Sequence, residues 1–329
     1  MTQLVELQEG YKKFEEHGIK LYAISYDDQQ VLKDFAENYG IAYPLLSDID
    51  SAVIKHYGIL NTEIQPGDAI LYGIPFPGTY ITDENGVVIQ KFFHDTYKRR
   101  EGPDLLFDAA LGRVVLDEDA PGASETDDEG IRVSATLHGG AIKQGAQREI
   151  IVRFDLPDGL HIYGTPVPEG MIPTTVTVTG PDGLAIEDLI APPTDPLRLE
   201  SLDLELPVWS GQVDFRIPVY ALSSLQSECR PLDQDSIDIE ISVRYQACDN
   251  DVCLLPKTET FTITAPMDTI NVQSIDLHTG HGQKEATFDG TPHLRRLLWR
   301  KIRQSPLGFI RYIFKERALR RAAKKRLNQ

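Results

Sequence analysis

The sequence predicts a multidomain chain in which an α/β fold is followed by an all-β sandwich and a basic helical tail. Three observations carry that prediction. Helical and strand-like hydrophobic periods alternate through residues 1–112, the period changes to two from residue 131 to about 266, and the charge reverses sign near residue 291. A length of 329 residues agrees, because a single core seldom grows beyond about 250–300 residues. The net charge is -17, yet residues 291–329 hold 13 Lys/Arg against the single acid Glu316, so the body is acidic and the tail basic.

In the first domain, Leu4, Leu7, Tyr11 and Phe14 recur at helical spacing, and the apolar run Leu21-Tyr22-Ala23-Ile24 reads as a buried strand. A second helix spans Asp28 to Tyr39, with Val31, Leu32, Phe35, Ala36 and Tyr39 on one face and Gly40 as its stop. A short helix covers Ser51 to Tyr57. Strands at Thr79–Thr82 and Val87–Phe93 flank Asp83-Glu84-Asn85-Gly86, whose Asn-Gly is a hairpin signal. A helix from Pro103 to Ala110 closes this domain at residue 112. Residues 113–130 then contain seven acids and little apolar surface to offset ordering entropy, which predicts a flexible acidic linker.

From residue 131 to 266 the alternation is strand-like. Ile237, Ile239, Ile241, Val243 and Tyr245 alternate with polar residues, as do Val213, Phe215, Ile217 and Val219. Further strands are expected at Arg148–Phe154, Thr174–Thr179 and Thr258–Thr264, with turns at Pro157-Asp158-Gly159 and Pro181-Asp182-Gly183. Many short antiparallel strands in this length imply a sandwich of immunoglobulin-like type. Residues 267–290 form a second linker, and 291–329 an amphipathic helix-break-helix centred on Pro306-Leu307-Gly308.

Composition excludes several classes. An acidic body argues against nucleic acid as a partner for the main fold, while the basic tail suits an anionic membrane surface or an acidic protein. No apolar run approaches the roughly 18 residues of a transmembrane helix, and MTQLVELQEGYKK has no signal-peptide apolar segment. Three cysteines are too few for a disulfide scaffold. His278 and His281 sit in a Gly-rich stretch with no third ligand pattern, so neither a metal nor a cofactor is expected.

The chemistry-bearing segment is Tyr245-Gln246-Ala247-Cys248-Asp249-Asn250-Asp251-Val252-Cys253. Asp-Asn-Asp suits a turn between two strands, and a hairpin tip of this length brings two Cα atoms within disulfide range. A bridge closing so short a loop adds little chain-entropy stabilisation, so a redox role and a structural clip are both open on pattern alone. Neighbouring aspartates disfavour the thiolate, making the pair a poor spontaneous nucleophile.

This segment, followed by Pro256, resembles the YQxC…C…P signature of the N-terminal domain of the thiol:disulfide interchange protein DsbD. Asp158-Gly159-Leu160-His161-Ile162-Tyr163 and Ile172-Pro173-Thr174-Thr175 resemble the same family's "G-W/L-H-I … I-P-T" region. The resemblance covers residues 131–265. It implies an immunoglobulin-like domain that passes electrons between a membrane donor and periplasmic acceptors by thiol-disulfide exchange, with Cys248 and Cys253 as the redox pair. It also implies an aromatic cap over the pair, for which Trp209 is the candidate, with Tyr245 lining the site. Leu254-Leu255-Pro256 departs from the family's aromatic and two prolines, and its membrane and thioredoxin modules are absent from this sequence.

The first domain has a second resemblance. Leu21-Tyr22-Ala23-Ile24-Ser25-Tyr26-Asp27, Tyr43-Pro44-Leu45-Leu46-Ser47-Asp48 and Gly73-Ile74-Pro75-Phe76-Pro77-Gly78-Thr79-Tyr80-Ile81-Thr82-Asp83 are similar to segments of AhpC/TSA-type peroxiredoxins. That implies a thioredoxin-like fold over residues 1–112, with Pro77 as the cis-proline that would face an active-site cysteine. Family members carry that cysteine at the N-terminus of the first helix, where the helix dipole lowers its pKa. No cysteine precedes Cys229 here, and the sequence opens inside that helix, without the family's first strand. The expectation is a start upstream of Met1 in preference to a degenerate scaffold. Cys229 itself is read as incidental.

Taken together, the residues and resemblances predict a thiol-disulfide oxidoreductase, linked to antioxidant or disulfide-reducing pathways, that uses Cys248 and Cys253. Its expected partner is a thioredoxin-like protein or membrane electron donor. The competing reading is a non-catalytic scaffold with a structural hairpin disulfide and a partner-recruiting tail. Location reads as cytoplasmic from the sequence as written, and periplasmic if the start lies upstream and the DsbD resemblance holds.

Overall fold

The computed structural model describes residues 2–64, 72–94, 99–143, 145–199, 204–222, 224–225, 234–249, 252–268, 270–272, 283–285, 291–304 and, beyond these, 306–307, 310–311, 313–314, 317 and 321. Cys229, His278 and His281 lie outside them. The chain divides into two compact units: residues 1–97 with 271–279 and 284–329, and residues 98–270 with 280–283.

In the first unit the opening helical stretch is split at Gly10 into α1 (Thr2–Glu9) and α2 (Tyr11–Glu16). Phe14 is buried, and the Tyr43 hydroxyl donates to the Leu4 carbonyl at 2.7 Å. Strand β1 (Ala23–Ser25) leads to α3 (Gln29–Tyr39), which is capped at both ends as its sequence demands. Asp28 accepts from Val31 N at 3.0 Å, and Gly40 ends the helix at φ 65°. Strand β2 (Leu45–Ser47) pairs parallel with β1. Asp48 then accepts from Ala52 N and Ile54 N at 2.9 and 2.8 Å, so a buried carboxylate satisfies the first amides of α4 (Ala52–His56). Strands β3 (Gly78–Thr82) and β4 (Val88–Phe93) form the expected hairpin, with Asp83 accepting from Asn85 N and Val87 N.

The boundary expected at residue 112 falls earlier, near residue 98. Strand β5 (Arg100–Glu101) and helix α5 (Pro103–Leu111) belong to the second unit, whose other strands are β6 (Gly122–Thr126), β7 (Arg132–His138), β8 (Ala146–Asp155), β9 (His161–Tyr163), β10 (Thr175–Thr179), β11 (Leu184–Ile186), β12 (Asp195–Leu199), β13 (Leu204–Ser210), β14 (Gln212–Ala221), β15 (Ser236–Tyr245), β16 (Ala247–Cys248) and β17 (Lys257–Pro266). The physical reason lies in β8, which is buried along both faces, including Gln147, Arg148 and Glu149. One face meets the sandwich core. Strand β5 pairs parallel with β8, and α5 buries Leu105, Leu106 and Phe107 within this unit. At the entry to α5, a Cβ on Gly102 would lie 2.4 Å from the Arg148 guanidinium, so a larger residue there would displace that side chain.

The acidic linker is likewise corrected. Gly122–Thr126 is a sheet strand paired with β7, and Lys257 Nζ holds Asp127 at 2.7 Å and Glu129 at 2.9 Å. Pairing the backbone and neutralising two acids supplies the stabilisation that the segment's composition does not.

Among the described residues three sheets build this unit: β11-β14-β8-β7-β6 with β5 beside β8, β10-β15-β17, and β12-β13-β9-β16. Alternate residues of β7, β8 and β14 meet those of β15 and β17 in one buried cluster that includes Phe154, Phe215, Ile239, Ile241 and Phe261. Each such side chain contributes about 1.5–3 kcal/mol when fully buried. The all-β architecture expected from period-two patterning is therefore present.

In the first unit the tail forms α6 (Thr291–Gln304), with Arg296 3.6 Å from Asp34 of α3 and Arg300 donating to the Tyr26 carbonyl at 3.2 Å. Trp299, Leu307, Ile310 and Phe314 are exposed. No helix among the described residues is long and apolar enough to cross a membrane.

Candidate functional site

Cys248 and Cys253 are joined as a disulfide with Cα atoms 4.0 Å apart, at the tip leaving β16. The turn is built by Asp249, whose amide donates to the Val252 carbonyl at 3.0 Å and whose side chain accepts from Val252 N at 2.6 Å. Leu254 N returns to the Ala247 carbonyl at 2.8 Å, and Gln246 braces both sides, donating to the Leu254 carbonyl and accepting from Ile172 N. Asp249 thus closes the turn through both its amide and its side chain, as its turn chemistry predicts.

The two sulfurs have opposite surroundings. Cys248 is 0% exposed and belongs to a second buried cluster with Tyr163, Leu206 and Val208, packed by Val167, Met171, Leu197 and Leu204. Cys253 is exposed, and its neighbours Val252 and Leu255 are 61% and 86% exposed. Register explains how the second cluster arises. Ala247, Ile162 and Trp209 lie across from one another on neighbouring strands and take part in the main core, whereas the next positions, Cys248 and His161, point to the opposite face.

That face carries the polar groups nearest the pair. The Tyr163 hydroxyl is 3.6 Å from Cys253 Sγ, and burial raises its pKa, keeping it a neutral phenol. His161 is the register partner of Cys248, stacks edge-on against Tyr163 at 5.3 Å, and has a buried Nε2 without a hydrogen-bond partner. Burial lowers its pKa, with the Asp249 charge opposing. Tyr163 and His161 were legible only as part of the Gly159–Tyr163 motif; nothing in the sequence attached them to the cysteines, because that depends on β9 pairing with β16.

The other expected site residues lie elsewhere. Trp209 packs edge-on against Phe215 at 4.9 Å and donates its indole N–H to the Pro192 carbonyl at 3.0 Å. Tyr245 packs edge-on against Phe154 at 5.1 Å and donates to Glu259 at 2.7 Å. Both rings are committed to the interior, because their strand positions face the main core. Pro77 is not a cis-proline: among the described residues the cis peptide joins Thr165 and Pro166. Pro77 enters the extended backbone of β3 directly, after Phe76 N has bonded the Ile59 carbonyl at 2.7 Å. No cluster of metal-ligating side chains occurs among the described residues.

Comparison with known proteins matches two segments. Residues 1–91 match the AhpC/TSA family, and residues 134–265 match the family described as thiol:disulfide interchange protein DsbD, N-terminal. Chloroplastic peroxiredoxin Q of Arabidopsis thaliana is 39% identical over 87 residues, 26% of this chain and 37% of that protein. Thiol-disulfide oxidoreductase ResA of Bacillus thuringiensis subsp. konkukian (strain 97-27) is 28% identical over 86 residues, 26% of this chain and 42% of that protein. The chain therefore spans well under half the length of these relatives. The N-terminal periplasmic domain of ScsB from Proteus mirabilis superposes with a TM-score of 0.32 at 16% identity, covering 44% of this chain and 51% of that one. The chain thus joins a segment similar to the AhpC/TSA family to a segment similar to the N-terminal region of the thiol:disulfide interchange protein DsbD.

Proposed function

We propose that this chain is a thiol-disulfide exchange protein in which Cys253 is the sulfur a partner attacks and Cys248 is the sulfur that leaves and later resolves. The observation that carries the reading is the asymmetry of burial. An exposed sulfur beside Val252 and Leu255 offers a partner both access and apolar docking area, while the buried sulfur offers neither. The partner thiolate attacks Cys253 Sγ, the Cys248–Cys253 bond breaks, and Cys248 carries away the electron pair. In the reverse direction Cys248 attacks the mixed disulfide and expels the partner as a thiol. The partner class is a thioredoxin-like protein or a membrane electron donor. Residues 1–91, which match the AhpC/TSA family, contain no cysteine.

A redox titration of the pair tests the reading. Exchange-competent pairs have potentials of about -120 to -270 mV, and structural bridges usually fall below about -300 mV. A value in the first range is expected; one below about -300 mV sinks the reading and favours the scaffold alternative.

The tail suits an anionic membrane surface better than an acidic protein. Trp299, Leu307, Ile310 and Phe314 present exposed apolar surface among arginines, and an interfacial helix buries both kinds of group at once, the apolar face in the headgroup boundary and the cations on anionic lipid. Vesicles containing phosphatidylglycerol are expected to co-sediment the chain and blue-shift Trp299 fluorescence, and neutral vesicles to do neither. Equal binding to both vesicle types would contradict the assignment.

A further inference from the structure

We propose that His161 is the proton acceptor for Cys248, taking the thiol proton when the buried sulfur closes the disulfide and returning it when the disulfide opens. This rests on the exchange reading above. It arises from a difficulty in that reading: whichever way exchange runs, charge develops on a sulfur that is 0% exposed among Tyr163, Leu206 and Val208. A thiolate in apolar surroundings is disfavoured, and a leaving sulfur with a raised pKa leaves slowly. Some neighbouring group must carry the proton.

His161 meets the requirement on three independent counts. It is directly across from Cys248 in the β9–β16 pairing, where opposite side chains have Cβ atoms about 4.5–5.5 Å apart. It is 6% exposed, so its ring cannot be explained as a solvated surface group. Its Nε2 is buried with no hydrogen-bond partner, a costly arrangement unless the atom has a use in another state of the site. The groups around it keep the ring neutral. Burial lowers its pKa, the Asp249 charge only partly opposes this, Tyr163 is an un-ionised phenol, and the facing position on β13 is the uncharged Ser210. A neutral imidazole can accept a proton, whereas an imidazolium cannot.

In the closing direction, Cys248 S–H loses its proton to His161 Nε2. The Cys248 sulfur attacks Cys253 Sγ, the new disulfide forms as the bond from Cys253 to the partner sulfur breaks, and the partner sulfur leaves with the electron pair and takes the proton from the imidazolium. One disulfide and one thiol are consumed and one of each is produced. The opening direction is the exact reverse.

The test uses the full chain in a Cys229→Ser background, reduced, then mixed with 4,4′-dithiodipyridine. Exposed Cys253 reacts first and releases one thiopyridone; closure by Cys248 releases the second in a separate phase. His161→Phe and His161→Asn are both expected to slow the second phase about tenfold or more at pH 7 and leave the first unchanged. In the unsubstituted background the closing rate should hold level down to the ionisation of His161, below pH 6.5, and fall beneath it. In the variants it should instead drop in proportion to hydroxide across that range. Unchanged closure in both variants overturns the role of His161 while the exchange reading survives. Absence of a second phase in the unsubstituted background overturns the exchange reading and this inference together. Should the Phe variant lose its fold, seen as simultaneous reaction of both thiols, the Asn variant decides.

Discussion

A Cys248→Ser chain accumulates a covalent complex with a thioredoxin-type partner whose own resolving cysteine is replaced by serine and whose remaining cysteine is activated as a thionitrobenzoate mixed disulfide, thionitrobenzoate leaving, and a Cys253→Ser chain accumulates none. In the first variant, the exposed Cys253 still forms the mixed disulfide, but the thiol that would resolve it is gone. In the second, the remaining sulfur is fully buried beneath Tyr163, Leu206 and Val208, where a partner sulfur cannot approach in line. Both variants lose turnover to background, so turnover alone does not separate the roles. Non-reducing electrophoresis and intact mass do, with a Cys229→Ser background so that the pair alone reports. Equal trapping by the two variants, or trapping through Cys248, would reverse the assignment of attacked and leaving sulfur.

Substitution of Asp108 by alanine should destabilise the second unit by about 3–5 kcal/mol, the cost of stripping one partner from a buried ion pair. Asp108 and His138 are each 1% exposed and lie 2.8 Å apart, and Asp108 also accepts from Val115 N at 3.1 Å. The pair ties α5 to β7, so its loss leaves His138 buried and unpaired and frees the apolar face of the helix. For a unit of this size the expected fall in Tm is about 6–20 °C. Thermal unfolding followed by circular dichroism checks it, and a fall of less than about 2 °C would mean that α5 holds without the pair.

The same pair sets a pH dependence. Burial pulls the His138 pKa down, but the hydrogen bond and charge of Asp108, with Asp104 and Glu149 behind them, outweigh it and the net shift is upward. A raised folded pKa contributes stability that is full below about pH 6.5 and is lost as pH rises through the folded value. Burial also raises the pKa of Glu149 against the pull of Arg216, which acts in the same direction from pH 4.5 upward. Urea midpoints should therefore decline as pH rises above 6.5, and His138→Gln should flatten that decline. A midpoint that climbs over that range would show that another group dominates.

Much of the fold was legible locally. Asp28 and Gly40 announced both ends of α3, Asp83-Glu84-Asn85-Gly86 announced the hairpin, and the strict alternation of Ile237–Tyr245 announced a strand with one buried face. These succeed because caps, turns and two-residue alternation are decided within a few residues. Reading failed where a segment's fate rested on a distant partner. Residues 122–126 look unable to fold until β7 and Lys257 are brought to them, and α5 looks like the end of one domain until the two-sided burial of β8 claims it. The resemblance offered Trp209 as the cap over the pair and Tyr245 as site-lining, but Trp209 lies across from Ile162 and packs against the main core, where Tyr245 is buried.

The sequence by itself determined that the chain carries two segments of different class, that Cys248 and Cys253 flank a turn able to pair them, and that an acidic body bears a basic tail. Composition, periodicity and turn residues are local properties, and those conclusions need nothing more. Only the tertiary structure decided that the two sulfurs are unequal, one sealed in an apolar cluster and one open beside Val252 and Leu255, and that His161 stands across from the sealed one. The reason is that burial and cross-strand register arise from pairing β9 with β16 and β13, elements separated by tens of residues, and no local pattern encodes which strand will lie beside which.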